Sequence, residues 1–246
     1  MENKTIIAVD LETTGLSPET DHIIEIGALR YENGVCVDTF SQLVKPPVPI
    51  SGKIFEITGI NNRMVEEKPA IAQVFPKFLE FVGESQILLG HNLRFDYSFL
   101  KTAAKRLGIS FSMKGLDTLL LARKLLPDLP SKNLATVSAH YGVVNPKAHR
   151  AFEDAQTTAQ IYFKMKEQFE KGQPELFVPK DMVVKVKKVE PVTIKQKNYL
   201  LDLLKYHKIQ VELFFAEKGT TIDDLTKSQA SKMIDEIIFQ YGRILR

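Results

Sequence analysis

The sequence predicts an α/β protein, in which a mixed sheet is flanked by helices and followed by a small helical domain. Three strand-like segments follow one another near the N-terminus, and strand-like and helical patterns then alternate up to about residue 170. The pattern changes near Gly172, beyond which prolines and lysines precede two further helical segments. Of the 246 residues, 44% are hydrophobic and 26% are charged, which is typical of a globular chain with a proper core.

The predicted sheet begins with strands at 6–11 and 23–31, which the turn-rich stretch TTGLSPETD separates. The stretch ENGV then predicts a hairpin turn into a third strand at 39–44. Apolar spacing predicts a helix over 71–82, and we expect Pro76 to kink this helix or to delay its start. Further along the chain we expect a short buried strand at 87–92 and helices at 95–107, 117–126, 133–141 and 151–170.

Three parts are predicted along the chain: a main domain at 1–172, a linker at 173–191 and a small helical domain at 192–246. Thr193 and Thr226 each stand three residues before a glutamine, which predicts a capping box at the start of a helix. The main domain has 20 basic and 20 acidic side chains, whereas the remainder has 13 and 10. The net charge of +3 therefore lies in the C-terminal part, which hints at a polyanionic partner there.

Cysteine content and hydropathy exclude several classes of protein. Cys36 is the single cysteine, so an intrachain disulfide is impossible and a cysteine-based zinc site is not expected. A single cysteine fits a reducing compartment, and we expect a cytoplasmic protein. The N-terminal MENKTII lacks the pattern of a signal peptide, and no apolar run approaches the ~20 residues of a membrane span. No membrane partner is therefore expected.

Four carboxylates occur where elements of the predicted sheet begin or end. Asp10 and Glu12 stand two residues apart at the end of a strand, so their side chains share one face and repel each other when ionised. Asp96 begins a helix after a buried strand, and Asp154 lies in the first turn of the long helix. Because no strongly basic neighbour accompanies every one of these sites, we expect two Mg²⁺ or Mn²⁺ ions to neutralise them. Two such ions about 3.5–4 Å apart can clamp both oxygens of a phosphodiester displacement.

The stretches DLETTG, HNLRFD and HRAFEDA resemble the three motifs of the DEDD 3′–5′ exonucleases, and His149 before Asp154 resembles the histidine subgroup. TGI at 58–60 and DTLLLAR at 117–123 resemble the proofreading exonucleases of bacterial replicative polymerases, of the epsilon-subunit and PolC type. The resemblance covers about residues 4–168. It implies an RNase H-like fold and release of 5′-mononucleotides from DNA 3′ ends, in proofreading or repair, with a DNA polymerase as a possible partner.

The resemblance also suggests a role for each residue of the predicted catalytic site. Asp10 should bridge both metal ions, and Glu12, Asp96 and Asp154 should complete their coordination. His149 is expected in the loop before the helix, since a position within the helix would turn it away from Asp154. An imidazole with a pKa near 6.5 is suited to take a proton from the attacking water.

Substrate contacts are predicted from the residues beside these motifs. Thr13, Thr14 and Leu16 are expected to hold the terminal nucleotide through backbone N–H groups and apolar contact. Asn92 is expected either to donate to a phosphate or to hold its own loop. Three neighbours receive structural roles instead, namely support of the Asn92 loop by His91, core packing by Phe95 and a helix cap by Asp117.

The stretch QPELF, at the start of the predicted linker, has two interpretations. Leu176 and Phe177 are adjacent large apolar residues, which are unfavourable in water unless something covers them. They either pack back onto the main domain or, together with Gln173, form a docking peptide. Gln-x-x-Leu-Phe resembles the pentapeptide by which bacterial replication proteins bind the sliding clamp.

Three other functions compete with a DNA exonuclease. The first is a 3′–5′ exoribonuclease of the same fold that trims RNA, because DNA and RNA are told apart by contacts to the 2′ position and not by the catalytic residues. TGI and DTLLLAR favour DNA. The second is a Mg²⁺-dependent phosphatase, which needs an aspartate in place of Glu12 and leaves His149 and Asp154 unexplained. The third is an inactive exonuclease fold that serves as a binding module, although all five expected residues are present.

Overall fold

The computed structural model describes residues 5–185 and 190–244, and these form two compact units. The first unit comprises residues 5–46 and 50–185, and the second comprises 47–49 and 190–244. Some predicted features lie outside the described residues, namely the first four residues of the main domain, residues 186–189 of the linker and the last two residues of the helical domain.

A six-stranded mixed sheet forms the centre of the first unit, as far as the structure describes the chain. Its spatial order is β3-β2-β1-β4-β5-β6. The strands are β1 (Thr5–Thr13), β2 (Ile23–Glu32), β3 (Val35–Leu43), β4 (Ile87–Gly90), β5 (Lys114–Asp117) and β6 (Lys180–Asp181). The first three strands pair antiparallel, and β4 and β5 continue the sheet in parallel. The prediction of three antiparallel strands followed by alternating strands and helices is therefore confirmed, while β5 and β6 were not predicted.

The turn between β2 and β3 has the conformation that its sequence indicates. Asn33 and Gly34 have φ angles of 52° and 85°, in the left-handed region that asparagine and glycine tolerate best. Glu32 and Val35 already pair across this two-residue turn. For this reason β3 begins at Val35, four residues earlier than predicted.

Helices cover the sheet in the first unit. They are α1 (Gly52–Thr58), α2 (Asn62–Val65), α3 (Ile71–Val82), α4 (Leu93–Arg106), α5 (Thr118–Leu125), α6 (Leu134–His140) and α7 (Ala151–Phe169). Of the two alternatives expected for Pro76, the delayed start of α3 is wrong, because the helix begins at Ile71 with Pro76 inside it. The loss of one backbone hydrogen bond is offset by the apolar face of α3, on which Phe75 and Phe78 are fully buried.

The hydrophobic core lies on both faces of the sheet. On one face, α3 and α4 pack over Val9 and Leu11 of β1. On the other face, α5, α6 and α7 pack over Ile6 and Ala8 of the same strand. Helix α7 presents small residues to the sheet, and its alanines at 151, 155 and 159 are fully buried. Close packing of this helix brings its first turn to the edge where β1 carries its carboxylates.

The predicted boundary at residue 172 lies too early, because the first unit continues into the predicted linker. A short 3₁₀ helix, Pro174–Phe177, follows α7, and the ring of Phe177 packs 6.2 Å from that of Tyr162. Phe177 is only 6% exposed, within the same core cluster as α7. β6 then pairs antiparallel with β5 and extends the sheet. The packing interpretation of QPELF therefore accounts for its phenylalanine.

The second unit is a small helical assembly, as predicted. It contains α8 (Ile194–Tyr206), α9 (Val211–Glu217) and α10 (Lys227–Tyr241). The two predicted capping boxes are confirmed, since Thr193 and Thr226 each exchange hydrogen bonds with the glutamine three residues on. Among the described residues, no helix of the chain is long and apolar enough to cross a bilayer.

Candidate active site

Two carboxylates stand at the end of the central strand β1. Asp10 pairs with Gly27 of β2, and Glu12 pairs with Glu25. Because side chains alternate along a strand, Asp10 and Glu12 share the face on which Ala8 packs toward α7. Glu12 is 9% exposed, while Asp10 is half-buried. The strand therefore delivers both side chains to one place, as predicted.

Asp96 approaches the same place from the opposite side of the sheet. It lies in the first turn of α4 and is 3% exposed. One oxygen of its carboxylate accepts a hydrogen bond from the backbone N–H of Leu11, with a donor–acceptor distance of 3.1 Å. Since Leu11 lies between Asp10 and Glu12, this bond ties the third carboxylate directly to the first two.

The fourth carboxylate and the histidine come from the start of α7. The backbone N–H of His149 donates to Oδ2 of Asp154 over 3.0 Å, and the side-chain amide of Asn145 donates to Oδ1. His149 has a φ of 61°, which is unusual for a residue other than glycine, and it lies in the loop before the helix as predicted. Ligand atoms of Glu12, His149 and Asp154 all lie within 4.8 Å of one another.

All four carboxylates have raised pKa values, and burial is the largest cause in each case. Burial, followed by the charges of Asp154 and Glu25, raises the pKa of Glu12 to about 8. For Asp10, the charges of Asp96 and Asp154 add to the effect of burial. Crowded acidic oxygens of this kind form a hard donor set that fits a divalent cation, whose charge would reverse these shifts.

These residues line a single cleft of about 690 Å³. The same cleft is also lined by the cationic residues Arg123 and Lys132, together with polar and apolar groups. A cleft lined by both carboxylate oxygens and cationic side chains is suited to a phosphodiester. The five residues predicted to be catalytic are therefore brought together: Asp10, Glu12, Asp96, His149 and Asp154.

The predicted substrate residues are placed less uniformly. Leu16 is 84% exposed, so its side chain is available for apolar contact. The hydroxyl of Thr13 donates to the carbonyl of Gly15, and the backbone N–H of Thr14 donates to the carbonyl of His22. The backbone N–H of Thr14 therefore already has a partner within the chain, and a contact from Thr14 to a nucleotide remains a prediction. Contacts from Thr13 and Leu16 to a nucleotide remain predictions.

Asn92 and its neighbours form the wall of the cleft beside α4. Asn92 has a left-handed φ of 65° and is exposed, and its backbone N–H donates to Oδ1 of Asp117 over 3.0 Å. The same oxygen accepts from the N–H of Leu119, so the predicted cap by Asp117 is confirmed. His91 supports this loop through a 2.9 Å contact between its Nδ1 and the hydroxyl of Thr118. A contact from Asn92 to a phosphate remains a prediction.

Phe95 contributes both to the core and to the lining of the cleft. Its ring lies 5.0 Å from that of Phe99 and packs against the core, as predicted. It is nevertheless half-buried and lines the cleft. One face of this side chain is therefore available to a substrate.

Sequence reasoning missed a buried ion pair beneath the site. Glu25 of β2 is 1% exposed and accepts hydrogen bonds from Nε and Nη2 of Arg150, the residue between His149 and α7. The expectation that the acidic residues lack a basic neighbour therefore needs correction, since the Arg150 charge opposes the rise in the pKa of Glu12. The available signal was a single acidic residue in the apolar run IIEIGAL, although no partner for it can be read from the sequence.

Fold and site together define an α/β enzyme whose cleft is built for divalent metal ions. The sequence profile of the family described as Exonuclease matches residues 7–162, which is more than half of the chain. The chain belongs to this exonuclease family, and the resemblance found in its motifs is confirmed.

The relatives include bacterial replication proteins. The chain is 46% identical over 164 residues to the DNA polymerase III PolC-type of Caldanaerobacter subterraneus subsp. tengcongensis. This alignment covers 67% of this chain but 12% of that relative. It is 38% identical over 165 residues to the DNA polymerase III subunit epsilon of Aquifex aeolicus, covering 67% of this chain and 81% of the relative. The chain thus spans only about an eighth of the length of the PolC-type proteins that it matches.

Solved structures show the same fold. Exonuclease X in complex with 5′ overhanging duplex DNA matches 67% of this chain and 92% of its own, with a TM-score of 0.55 and 27% identity. The nuclease domain of 3′hExo, a DEDDh family member bound to rAMP, matches 68% of this chain and 94% of its own, with a TM-score of 0.60 and 20% identity. The predicted RNase H-like sheet is therefore confirmed.

Proposed function

We propose that this chain is a 3′–5′ exodeoxyribonuclease that releases 5′-mononucleotides from DNA 3′ ends with two Mg²⁺ or Mn²⁺ ions. One observation carries the proposal: five residues from three separate segments, each predicted to be catalytic, line the same cleft, which cationic side chains also line. A phosphatase needs none of the His149 and α7 arrangement, and an inactive binding module does not need a set of buried carboxylates that destabilises the metal-free fold.

The carboxylates would hold the two ions. Asp10 would contribute ligand oxygens to both ions, since it lines the cleft together with Asp96 and Asp154. Glu12 and Asp154 lie beside His149, and Asp96 lies at the α4 end of the cleft. Bound ions would lower the pKa of a coordinated water and stabilise the charge that develops on the phosphodiester oxygens.

His149 would take the proton from the attacking water. Its side chain is exposed to the cleft, so solvent and substrate can reach the ring. Its backbone is held by the bond from its N–H to Asp154, which fixes the loop while the imidazole stays free to exchange a proton. Arg123 and Lys132, which also line the cleft, would bind the phosphates of the strand that is degraded.

DNA is the favoured substrate because relatives that are 46% and 38% identical to this chain are named as DNA polymerase III proteins. We therefore place the activity in replication proofreading or repair in the cytoplasm, with a DNA polymerase as the partner in the first case. The RNA-trimming alternative is retained as an outcome of the test, since one neighbour of the same fold is bound to rAMP.

Binding to a bacterial sliding clamp is a separate proposal with a structural condition. Phe177 is buried against Tyr162, and Leu176 packs against the same core cluster, so a clamp would have to displace both from the first unit. Gln173 is exposed and free of this packing. Surface-plasmon binding to the host clamp tests this directly: loss of binding in Gln173→Ala supports the docking role, and absence of binding in the wild type contradicts it.

Digestion of matched oligonucleotides tests the main proposal. DNA and RNA of one sequence, labelled at the 5′ end, are incubated with the full chain in Mg²⁺ or in EDTA, with and without a mismatched 3′ end. A ladder that shortens from the 3′ end of DNA, with 5′-mononucleotide products and no reaction in EDTA, is expected. Preferential degradation of RNA would assign the alternative function, and metal-independent cleavage would contradict the mechanism. Asp10→Asn serves as the control for contaminating nucleases.

A further inference from the structure

The proposed reaction does not explain why Glu25 is buried beside Glu12. It lies on β2 directly opposite Glu12, on the same face of the sheet, and is almost completely buried. Its charge contributes to the raised pKa values of both Asp10 and Glu12, so it adds to the crowding that metal ions must relieve. A buried carboxylate in such a place is costly unless a strong partner compensates it.

The partner is the start of α7. Nε of Arg150 lies 3.0 Å from Oε2 and 3.2 Å from Oε1 of Glu25, and Nη2 also donates to Oε1. The backbone N–H of Ala151, the first residue of α7, donates to Oε2 over 3.1 Å. Arg150 occupies the N-cap position but has no side-chain acceptor to offer the helix. Glu25 therefore caps α7 from another strand, 126 residues away in sequence.

This contact fixes the first turn of the helix and not the helix as a whole. The body of α7 is held by fully buried residues such as Ala155, Ala159 and Tyr162. At Gly27, a Cβ atom would lie 2.1 Å from the backbone nitrogen of Phe152, so the first turn rests directly on β2. Close packing on Gly27 leaves the backbone of this first turn little room to move. The ion pair of Glu25 with Arg150 sets where the turn lies on β2.

We propose that Glu25 and Arg150 form a latch that positions His149 and Asp154 against the carboxylates of β1. His149 immediately precedes Arg150 in a strained left-handed conformation, and among the described residues it is anchored by its backbone N–H on Asp154. On the C-terminal side of His149, the segment is held by the hydrogen bonds that Arg150 and Ala151 donate to Glu25. Glu25 and Arg150 are thus positioning residues: they contact neither substrate nor the reacting atoms, and they act through His149. This inference rests on the proposed nuclease function.

Kinetics of the full-length chain on a short single-stranded DNA at saturating Mg²⁺ test the latch. Glu25→Gln and Arg150→Gln should each lower kcat by about 10- to 100-fold, because small displacements of reacting groups are costly, while KM changes far less. The double variant should lose no more than the worse single variant, since both changes remove one interaction. Lys166→Gln and Glu170→Gln, which remove an exposed ion pair near the other end of α7, are the matched controls and should keep wild-type kcat.

A second readout does not depend on activity. Amide hydrogen exchange in Glu25→Gln should accelerate at His149 and Ala151 by about tenfold or more, while exchange at Ala159 in the body of α7 stays close to wild type. If Glu25→Gln does not fold, Arg150→Lys carries the same tests, because it keeps the charge but loses the two-nitrogen contact.

The outcomes separate this inference from the proposed function. A wild-type chain without nuclease activity contradicts the proposed function, and the exchange experiment then decides the latch by itself. In an active enzyme, the latch is overturned if folded single variants keep wild-type kcat, if their losses multiply in the double variant, or if exchange rises equally along all of α7.

Discussion

The two units of this chain differ in whether they bury polar and charged side chains. Among the described residues, every buried polar or charged side chain lies in the first unit, including Glu12, Glu25, Asp96 and Asp154. The buried residues of the second unit are all apolar, and its ion pairs, such as that of Lys218 with Glu236, lie on the surface. The first unit therefore buries charged side chains at a cost to its stability, whereas the described part of the second unit buries none.

This difference indicates where the chemistry lies. Four clustered carboxylates with raised pKa values are costly in a metal-free protein, so their presence favours bound cations and catalysis. The second unit follows the rules of simple helical packing, with capped helices around leucine and isoleucine side chains. Any role of the second unit must therefore be carried by its surface.

The largest expected effect is the loss of a metal ligand in the first unit. Asp154→Asn should reduce turnover on DNA by on the order of 10³-fold or more, because a mispositioned ion no longer stabilises the developing charge. Thermal unfolding in EDTA should show that the variant is folded. Turnover within about tenfold of wild type would remove Asp154 from the metal site.

The next effect concerns the proton acceptor. His149→Ala should lower kcat by about 10²- to 10⁴-fold, the range typical of general-base catalysis, while metal binding persists because the carboxylates remain. Steady-state kinetics together with Mn²⁺ titration followed by calorimetry provide both quantities. A variant that keeps wild-type kcat would exclude the histidine from proton transfer.

A core substitution in the second unit tests whether that unit contributes to stability without contributing to catalysis. Leu204 is fully buried, so Leu204→Ala should destabilise the second unit by about 2–5 kcal/mol through lost burial and a cavity. Denaturant unfolding measures the loss, and kcat on a short oligonucleotide should stay at the wild-type value. A comparable loss of kcat would show that the second unit contributes to the catalytic site.

The smallest expected effect is that of a single helix cap. Thr226 accepts a hydrogen bond from the N–H of Gln229, and Thr226→Ala should cost about 1 kcal/mol. Chemical denaturation of the full chain, compared with that of Thr220→Ala in a loop of the same unit, isolates the contribution of the cap. Equal stabilities of the two variants would show that the cap contributes nothing measurable.

The sequence predicts the features that depend on local patterns. Asp10, Asp96 and Asp154 can be predicted because each lies near the end of a strand or in the first turn of a helix, and such boundaries can be read from spacing and turn residues. The contact of Glu25 with Arg150 could not be predicted, since it joins residues 125 positions apart through tertiary packing. β6 was missed for a similar reason: two residues have no periodicity of their own, and their partner strand β5 supplies the hydrogen bonds. The occupied N–H of Thr14 likewise depends on a long-range bond, to the carbonyl of His22.

The stability of metal-free protein against pH tests most directly whether the acidic cluster exists to hold cations. Burial and neighbouring charges raise the pKa of Glu12 from 4.5 to about 8, so its favourable contribution to folding is present below pH 4.5 and is lost as the pH rises through about 8. At about pH 8.5 in EDTA, Asp10→Asn should therefore melt at a higher temperature than the wild type. Addition of Mn²⁺ should reverse this order, because the variant lacks one of the carboxylates that would hold the ion. A wild type that is already the more stable protein in EDTA, and that gains nothing from Mn²⁺, would contradict the account.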